Sequence, residues 1–96
     1  MRLFKADLNL DDEIEAHEFL REYSATISPT GRRLAKRLGF VGKGSCRAAK
    51  ALWNYAMNRQ VAFTTRREGN IATALQYEEI CDRIYRQRIQ GRIECW

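Results

Sequence analysis

The middle of this sequence concentrates basic side chains without acidic ones. Ten lysines and arginines, and no aspartate or glutamate, lie between Glu22 and Glu68: Arg32, Arg33, Lys36, Arg37, Lys43, Arg47, Lys50, Arg59, Arg66 and Arg67. The whole chain has a formal net charge of only +5, so the excess is local. A local positive field attracts polyanions, because each phosphate that it neutralises releases condensed counterions. The pattern favours a nucleic acid, or an acidic protein surface, as the partner.

Spacing divides the basic residues into two predicted roles. Contacts to backbone phosphates are predicted for Arg32, Arg33, Lys36, Arg37 and Lys43. Arg47, Lys50 and Asn54 follow at intervals of three and four residues, so one helix face would present all three. Arginine, lysine and asparagine side chains can hydrogen-bond to base edges, and these three are therefore the candidate base contacts.

Residues 32–52, RRLAKRLGFVGKGSCRAAKAL, resemble the helix-turn-helix segment of DNA-binding proteins. The resemblance rests on Leu34-Ala35, Leu38-Gly39 and Ser45. It implies that two helices cross closely, that a turn begins at the glycine, and that the second helix enters the major groove. It also implies groove-facing positions for Lys43, Arg47, Lys50 and Asn54. DNA is more expected than RNA as the target, and the choice between them stays open. Two packed helices with a solvated basic face account for the same residues, and this alternative stays open.

The glycine-rich turn 42–45, Gly-Lys-Gly-Ser, suggests a second way to hold an anion. Backbone N–H groups, the helix dipole and Lys43 would converge on one phosphate. The turn is not a P-loop, because the G-x-x-x-x-G-K-[ST] string does not occur in the sequence. The turn therefore favours contact with a nucleic-acid phosphate over nucleotide hydrolysis.

Signatures of an enzyme, a metal site or a bound cofactor are missing from the sequence. His17 is the only histidine and lies among glutamates, and Cys46 has no neighbouring general base in sequence. Cys46, Cys81 and Cys95 form no close pair of the kind that structural zinc sites use, so they are interpreted as reduced thiols. The sequence predicts a binding protein with no catalytic residue, metal or cofactor.

Length and composition predict one small domain over residues 1–96. With 45% hydrophobic residues, the chain can build a core. No apolar run approaches the roughly 20 residues that cross a membrane, and the N-terminus does not look like a signal peptide. A cytoplasmic protein without a membrane partner is the expectation.

Capping residues and apolar spacing predict a mainly α fold, a compact bundle of about four helices. The first helix would run from Asp11 or Asp12 to about Tyr23. The second would begin at Ser28-Pro29 and end at Gly39, with Phe40 and Val41 entering the core. The third and fourth would span 46–67, capped by Ser45, and 71 to about 87, capped by Asn70.

Alternation of apolar and polar residues at both ends adds a prediction of short terminal β-strands. The segments are MRLFKADLNL at the start and RIQGRIECW at the end. Ordered tails that pack on the helical core would show the same apolar positions, and this alternative stays open.

Two functions fit these observations. The first is a small nucleic-acid-binding protein, acting as a regulatory or accessory factor. The second is a protein-interaction module that docks a basic and aromatic surface onto an acidic host protein, as an inhibitor from a phage or another mobile element would. Its anchors would be Trp53, Tyr55 or Trp96, since aromatic residues and arginine dominate interface energetics.

Overall fold

Helix α3 is the element against which all the others pack. The computed structural model describes residues 7–93 and forms them into α1 (Glu13–Tyr23), α2 (Arg32–Leu38), α3 (Ser45–Arg67) and α4 (Ile71–Ile84). A 3₁₀ turn (Ser24–Thr26) follows α1, and a π-helical turn (Tyr85–Ile89) follows α4. Helices α1, α2 and α4 each contact α3, and α1 and α2 make little contact with each other. The predicted mainly α bundle of four helices is confirmed.

Alanines on α3 allow this close packing. Ala49, Ala51 and Ala56 are fully buried, beside the fully buried Leu52. Small side chains let neighbouring helices approach α3 closely, as ridge-into-groove packing requires. The largest buried side chains of the other segments meet α3 there: Leu10, Leu34 and Ile89.

The sequence located some helix ends correctly and others wrongly. Asn70 caps α4, its side-chain oxygen accepting the Thr73 N–H at 3.3 Å, and α2 ends at Gly39 in the left-handed conformation, as predicted. The prediction that α2 begins at Ser28-Pro29 is wrong. Those residues form a turn in which Gly31 N–H donates to the Ser28 carbonyl, and α2 starts only at Arg32.

Two details of the loop before α3 also differ from the prediction. Ser45 is the first helical residue and makes no side-chain cap, because Gly44, with φ of +87°, occupies the capping position. Phe40 enters the core as expected, whereas Val41 is 70% exposed. The buried Phe40 ring anchors the loop to the core, and the chain then leaves the core through Gly42 and Gly44.

The described parts of the two ends are ordered tails on the helical core. Residues 7–10 form no strand and bury Leu10, and residues 88–93 continue the π-helical turn into a bend that buries Ile89 and Ile93. The predicted strands are therefore wrong for these residues. Residues 1–6 and 94–96 lie outside the described part of the chain.

Asp11 joins the N-terminal segment to α3 through a contact that the sequence did not reveal. The Tyr55 hydroxyl donates to Asp11 Oδ1, and Arg59 Nε lies 3.5 Å from the same oxygen. The Arg59 guanidinium also lies 4.9 Å from the centre of the Phe63 ring. Burial, together with the hydrogen bond to Asp11, raises the pKa of Tyr55. The network fixes the chain just before α1 in place.

We expect the fold to lose stability in alkaline solution, partly through Cys81. Burial raises the pKa of this thiol from 9.0 to about 11. Between these values the folded protein keeps the thiol proton and the unfolded chain releases it, so stability is fully present below pH 9 and falls as pH rises towards 11. Denaturant midpoints at about pH 8 and about pH 10.5 measure this loss. Cys81→Ala should reduce the difference between the two midpoints, and an undiminished difference would contradict the assignment to Cys81.

Candidate nucleic-acid interface

Three of the ten central cations are paired with acidic side chains. Arg66 holds Glu78 with N–O distances of 2.8–3.0 Å, Arg67 contacts Glu13, and Arg59 contacts Asp11. These pairs join α3 to α4, to α1 and to the N-terminal segment. Each of these three arginines therefore connects α3 to another segment of the fold.

Two predicted binding residues also have partners within the protein. Lys50 Nζ donates to the Pro29 carbonyl at 2.6 Å, although the sequence suggested a base contact for this side chain. Arg37 lies over the Tyr23 ring, 5.6 Å from its centre. Lys50 thereby fixes the loop before α2, and Arg37 covers the junction of α1 with its 3₁₀ turn.

Apart from Arg37, five of the predicted residues are exposed and, within residues 7–93, have no acidic partner within 4.0 Å. They are Arg32, Arg33, Lys36, Lys43 and Arg47. Lysine and arginine side chains of this kind keep their full charge at the surface and can neutralise a phosphate.

Two grooves meet at the first turns of α3. The loop groove has a volume of about 660 Å³ and is lined by Pro29, Thr30, Cys46, Arg47, Lys50, Gln87, Arg88 and Arg92. The turn groove has a volume of about 590 Å³ and is lined by residues 42–48 with Arg88 and Arg92. Both grooves contain Cys46, Arg47 and the two C-terminal arginines, so they form one continuous surface.

A third depression extends this surface to α2. It has a volume of about 400 Å³, is lined by residues 27–30 with Arg32 and Arg33, and shares Pro29 and Thr30 with the loop groove. Among residues 7–93, no carboxylate lines any of these three depressions. We call their cationic residues the basic surface, apart from Lys50, whose ammonium group donates to the Pro29 carbonyl: Arg32, Arg33, Lys43, Arg47, Arg88 and Arg92.

Arg88 and Arg92 are the residues of this surface that the sequence interpretation missed. Arg88 lies within the π-helical turn and Arg92 just after it, in a segment that was predicted to be a strand. Ile89 and Ile93 are buried, and this packing brings the segment against the N-terminal end of α3. The four-residue interval between the two arginines was the only sequence signal, and it is common in helical segments.

The glycine turn contributes less than its sequence suggested. Gly42, Lys43, Gly44 and Ser45 do line the turn groove, at the positive end of the α3 dipole. However, the Ser45 N–H already donates to the Gly42 carbonyl at 3.3 Å. The charge of Lys43 is therefore the main contribution of this turn.

Three predicted residues lie outside the depressions. Lys36 and Arg37 are exposed on α2 but line none of them. Asn54 is half-buried one turn beyond Lys50, and its carbonyl accepts the Asn58 side-chain N–H at 2.7 Å. From the predicted set, the structure brings together Arg32, Arg33, Lys43, Arg47 and Lys50, the last of which is bonded to Pro29. It adds Arg88 and Arg92.

Residues 7–93 contain no group of three or more His, Cys, Asp or Glu side chains that could hold a metal ion. Cys46 lies in the basic grooves, whereas His17 lines a separate cleft between α1 and α3. No helix in this part of the chain is long and apolar enough to cross a membrane.

Comparisons with protein-family models, curated proteins and solved structures found no match to this chain.

Proposed function

We propose that this protein binds nucleic acid through the basic surface and acts as a regulatory or accessory factor. The observation that carries the proposal is the convergence of six cations from α2, the α3 turn and the C-terminal segment around depressions that no carboxylate of residues 7–93 lines. Surface cations are usually interspersed with acids, and an acid-free cluster produces a field that attracts phosphates. Because the charges come from three segments, the fold concentrates them further than the sequence does.

The helix-turn-helix resemblance makes DNA the preferred target. Six residues, 39–44, separate α2 from α3, and α3 presents Arg47 in its first turns. In the resembling family, the first residues of the second helix contact the nucleic acid. Binding without catalysis fits the site as well, because no histidine lines the grooves that contain Cys46.

Salt dependence tests this proposal. If phosphate contacts drive binding, Arg32→Ala combined with Arg33→Ala should lower the slope of log affinity against log salt by up to about 2. Both side chains are exposed and have no acidic partner within residues 7–93, so the fold should persist. Fluorescence anisotropy with labelled duplex DNA between about 50 and 200 mM salt gives the slope. Absence of micromolar binding at the lowest salt would refute the proposal.

The alternative partner, an acidic host protein, has less support. Of its three predicted aromatic anchors, Tyr55 is only 5% exposed and Trp53 is half-buried, with its ring centre 6.1 Å from that of Phe19. Trp96 lies outside the described residues. Interface hot spots need side chains that a partner can cover, which neither Tyr55 nor most of Trp53 provides. Retention of one acidic protein from a lysate, without affinity for DNA, would favour this alternative.

A further inference from the structure

The C-terminal segment holds two guanidinium groups in fixed positions beside α3. Arg88 and Arg92 line both the loop groove and the turn groove. Ile89 is fully buried and Ile93 is 5% exposed, so the backbone that carries the arginines is packed into the core. Cations on a packed segment lose less conformational freedom on binding than cations on a free tail, and they therefore contribute more to affinity.

Arg47 lies in grooves that connect to two groups of cations. It lines the loop groove with Pro29 and Thr30, which also line the depression that contains Arg32 and Arg33. It also lines both grooves together with Arg88 and Arg92. We call Arg32 and Arg33 the α2 bank, and Arg88 and Arg92 the C-terminal bank. A ligand seated on Arg47 would lie in depressions that connect to both banks.

The same surface offers little that could read bases. Of the three predicted base contacts, Lys50 donates to the Pro29 carbonyl and Asn54 lies outside the grooves, so Arg47 is the one that remains. Gln87 is the side-chain amide that lines the loop groove. Within residues 7–93, no aromatic ring lines any of the three depressions, and every aromatic side chain is buried or half-buried. Proteins that bind single strands stack bases on exposed aromatic rings, and this surface lacks such rings among the described residues.

Resting on the proposed function, we infer that the basic surface is a sequence-neutral clamp for the phosphate backbone of a nucleic-acid duplex. The α2 bank and the C-terminal bank contact the same duplex, together with Arg47. Contacts to phosphates set position and affinity but carry no sequence information. A duplex presents two rows of phosphates, one on each strand, which suits two banks of cations connected by the grooves that Arg47 lines.

Charge-removing substitutions test the C-terminal bank. Arg88→Gln combined with Arg92→Gln should lower the salt slope for a labelled duplex by about 1.8, since each lost phosphate contact lowers it by about 0.9. The matched control is Arg83→Gln combined with Arg86→Gln, which removes the same charge from exposed positions outside the grooves and should leave the slope unchanged. Arg88→Lys with Arg92→Lys should also keep the parent slope. An unchanged slope in the glutamine variant, or equal losses in the variant and its control, would overturn the assignment.

Selection from a pool of random duplexes tests the ligand class. We expect no enriched motif, and at least about tenfold weaker binding of single strands at equal salt. An enriched motif would overturn sequence neutrality, and equal or tighter binding of single strands would overturn the duplex. Either result leaves the proposed function standing, whereas absence of binding to every nucleic acid at low salt contradicts the proposed function itself.

Discussion

Gly31→Ala should lower the free energy of unfolding by about 2–4 kcal/mol, which combines backbone strain with overpacking. Gly31 has φ of +73°, a left-handed conformation that an alanine adopts only with strain. An added Cβ would lie 2.6 Å from Lys50 Cγ and 2.7 Å from the Cys46 carbonyl oxygen. The lysine stem can move, but the Cys46 carbonyl belongs to the backbone of α3. The melting temperature of a domain this size should fall by about 10 °C or more.

Gly44→Ala is the matched control for this effect. Gly44 has φ of +87°, yet an added Cβ would have no atom within 4 Å. Only the backbone strain applies there, so we expect a loss of about 1 kcal/mol. The difference between the two variants isolates the contact of the 28–31 loop with α3. Equal losses would mean that this loop does not pack against α3 as the structure shows.

Helix ends that are set by a neighbouring capping residue were predictable from the sequence. Gly39 and Asn70 act within one turn of the helix that each one ends or begins, and the structure has both in those roles. Ser28-Pro29 carries an equally clear start signal, but there the tertiary contact dominates. Lys50 binds the Pro29 carbonyl and Gly31 packs on α3, and these contacts place the start of α2 after Gly31. Residues that are distant in sequence set this boundary, so local rules cannot locate it.

In the candidate site, too, local sequence patterns were predictive, whereas contacts between distant residues were not visible in the sequence. Charge counting found Arg32, Arg33 and Arg47, because a run without acids is visible in the sequence. It could not find Arg88 and Arg92, whose place depends on the burial of Ile89 in the π-helical turn and of Ile93 after it. Nor could helical spacing reveal that Lys50 has a backbone partner. Helical periodicity predicts which residues share one face of a helix. Which other residues that face contacts is determined by the tertiary packing.

Arg47→Glu should weaken binding to duplex DNA by about 30- to 100-fold at about 100 mM salt, equivalent to about 2–3 kcal/mol. Arg47 lines both grooves, so a carboxylate there would repel phosphates within the basic surface. It would also attract the neighbouring Arg88 and Arg92 and reduce their availability to the ligand. The slope of log affinity against log salt should fall by up to about 2, because one positive charge becomes negative.

The substitution at position 47 should leave the fold intact, and this makes the binding result interpretable. Arg47 is exposed and lies in the first turn of α3, where the helix dipole favours a negative charge. Arg83→Glu makes the same change of charge on α4, where Arg83 has one acidic partner within residues 7–93, an exposed pair with Glu79 at 3.7 Å. If net charge alone governed binding, the two variants would weaken it equally. A loss confined to Arg47→Glu, with both variants melting like the parent, would locate the binding site at the start of α3.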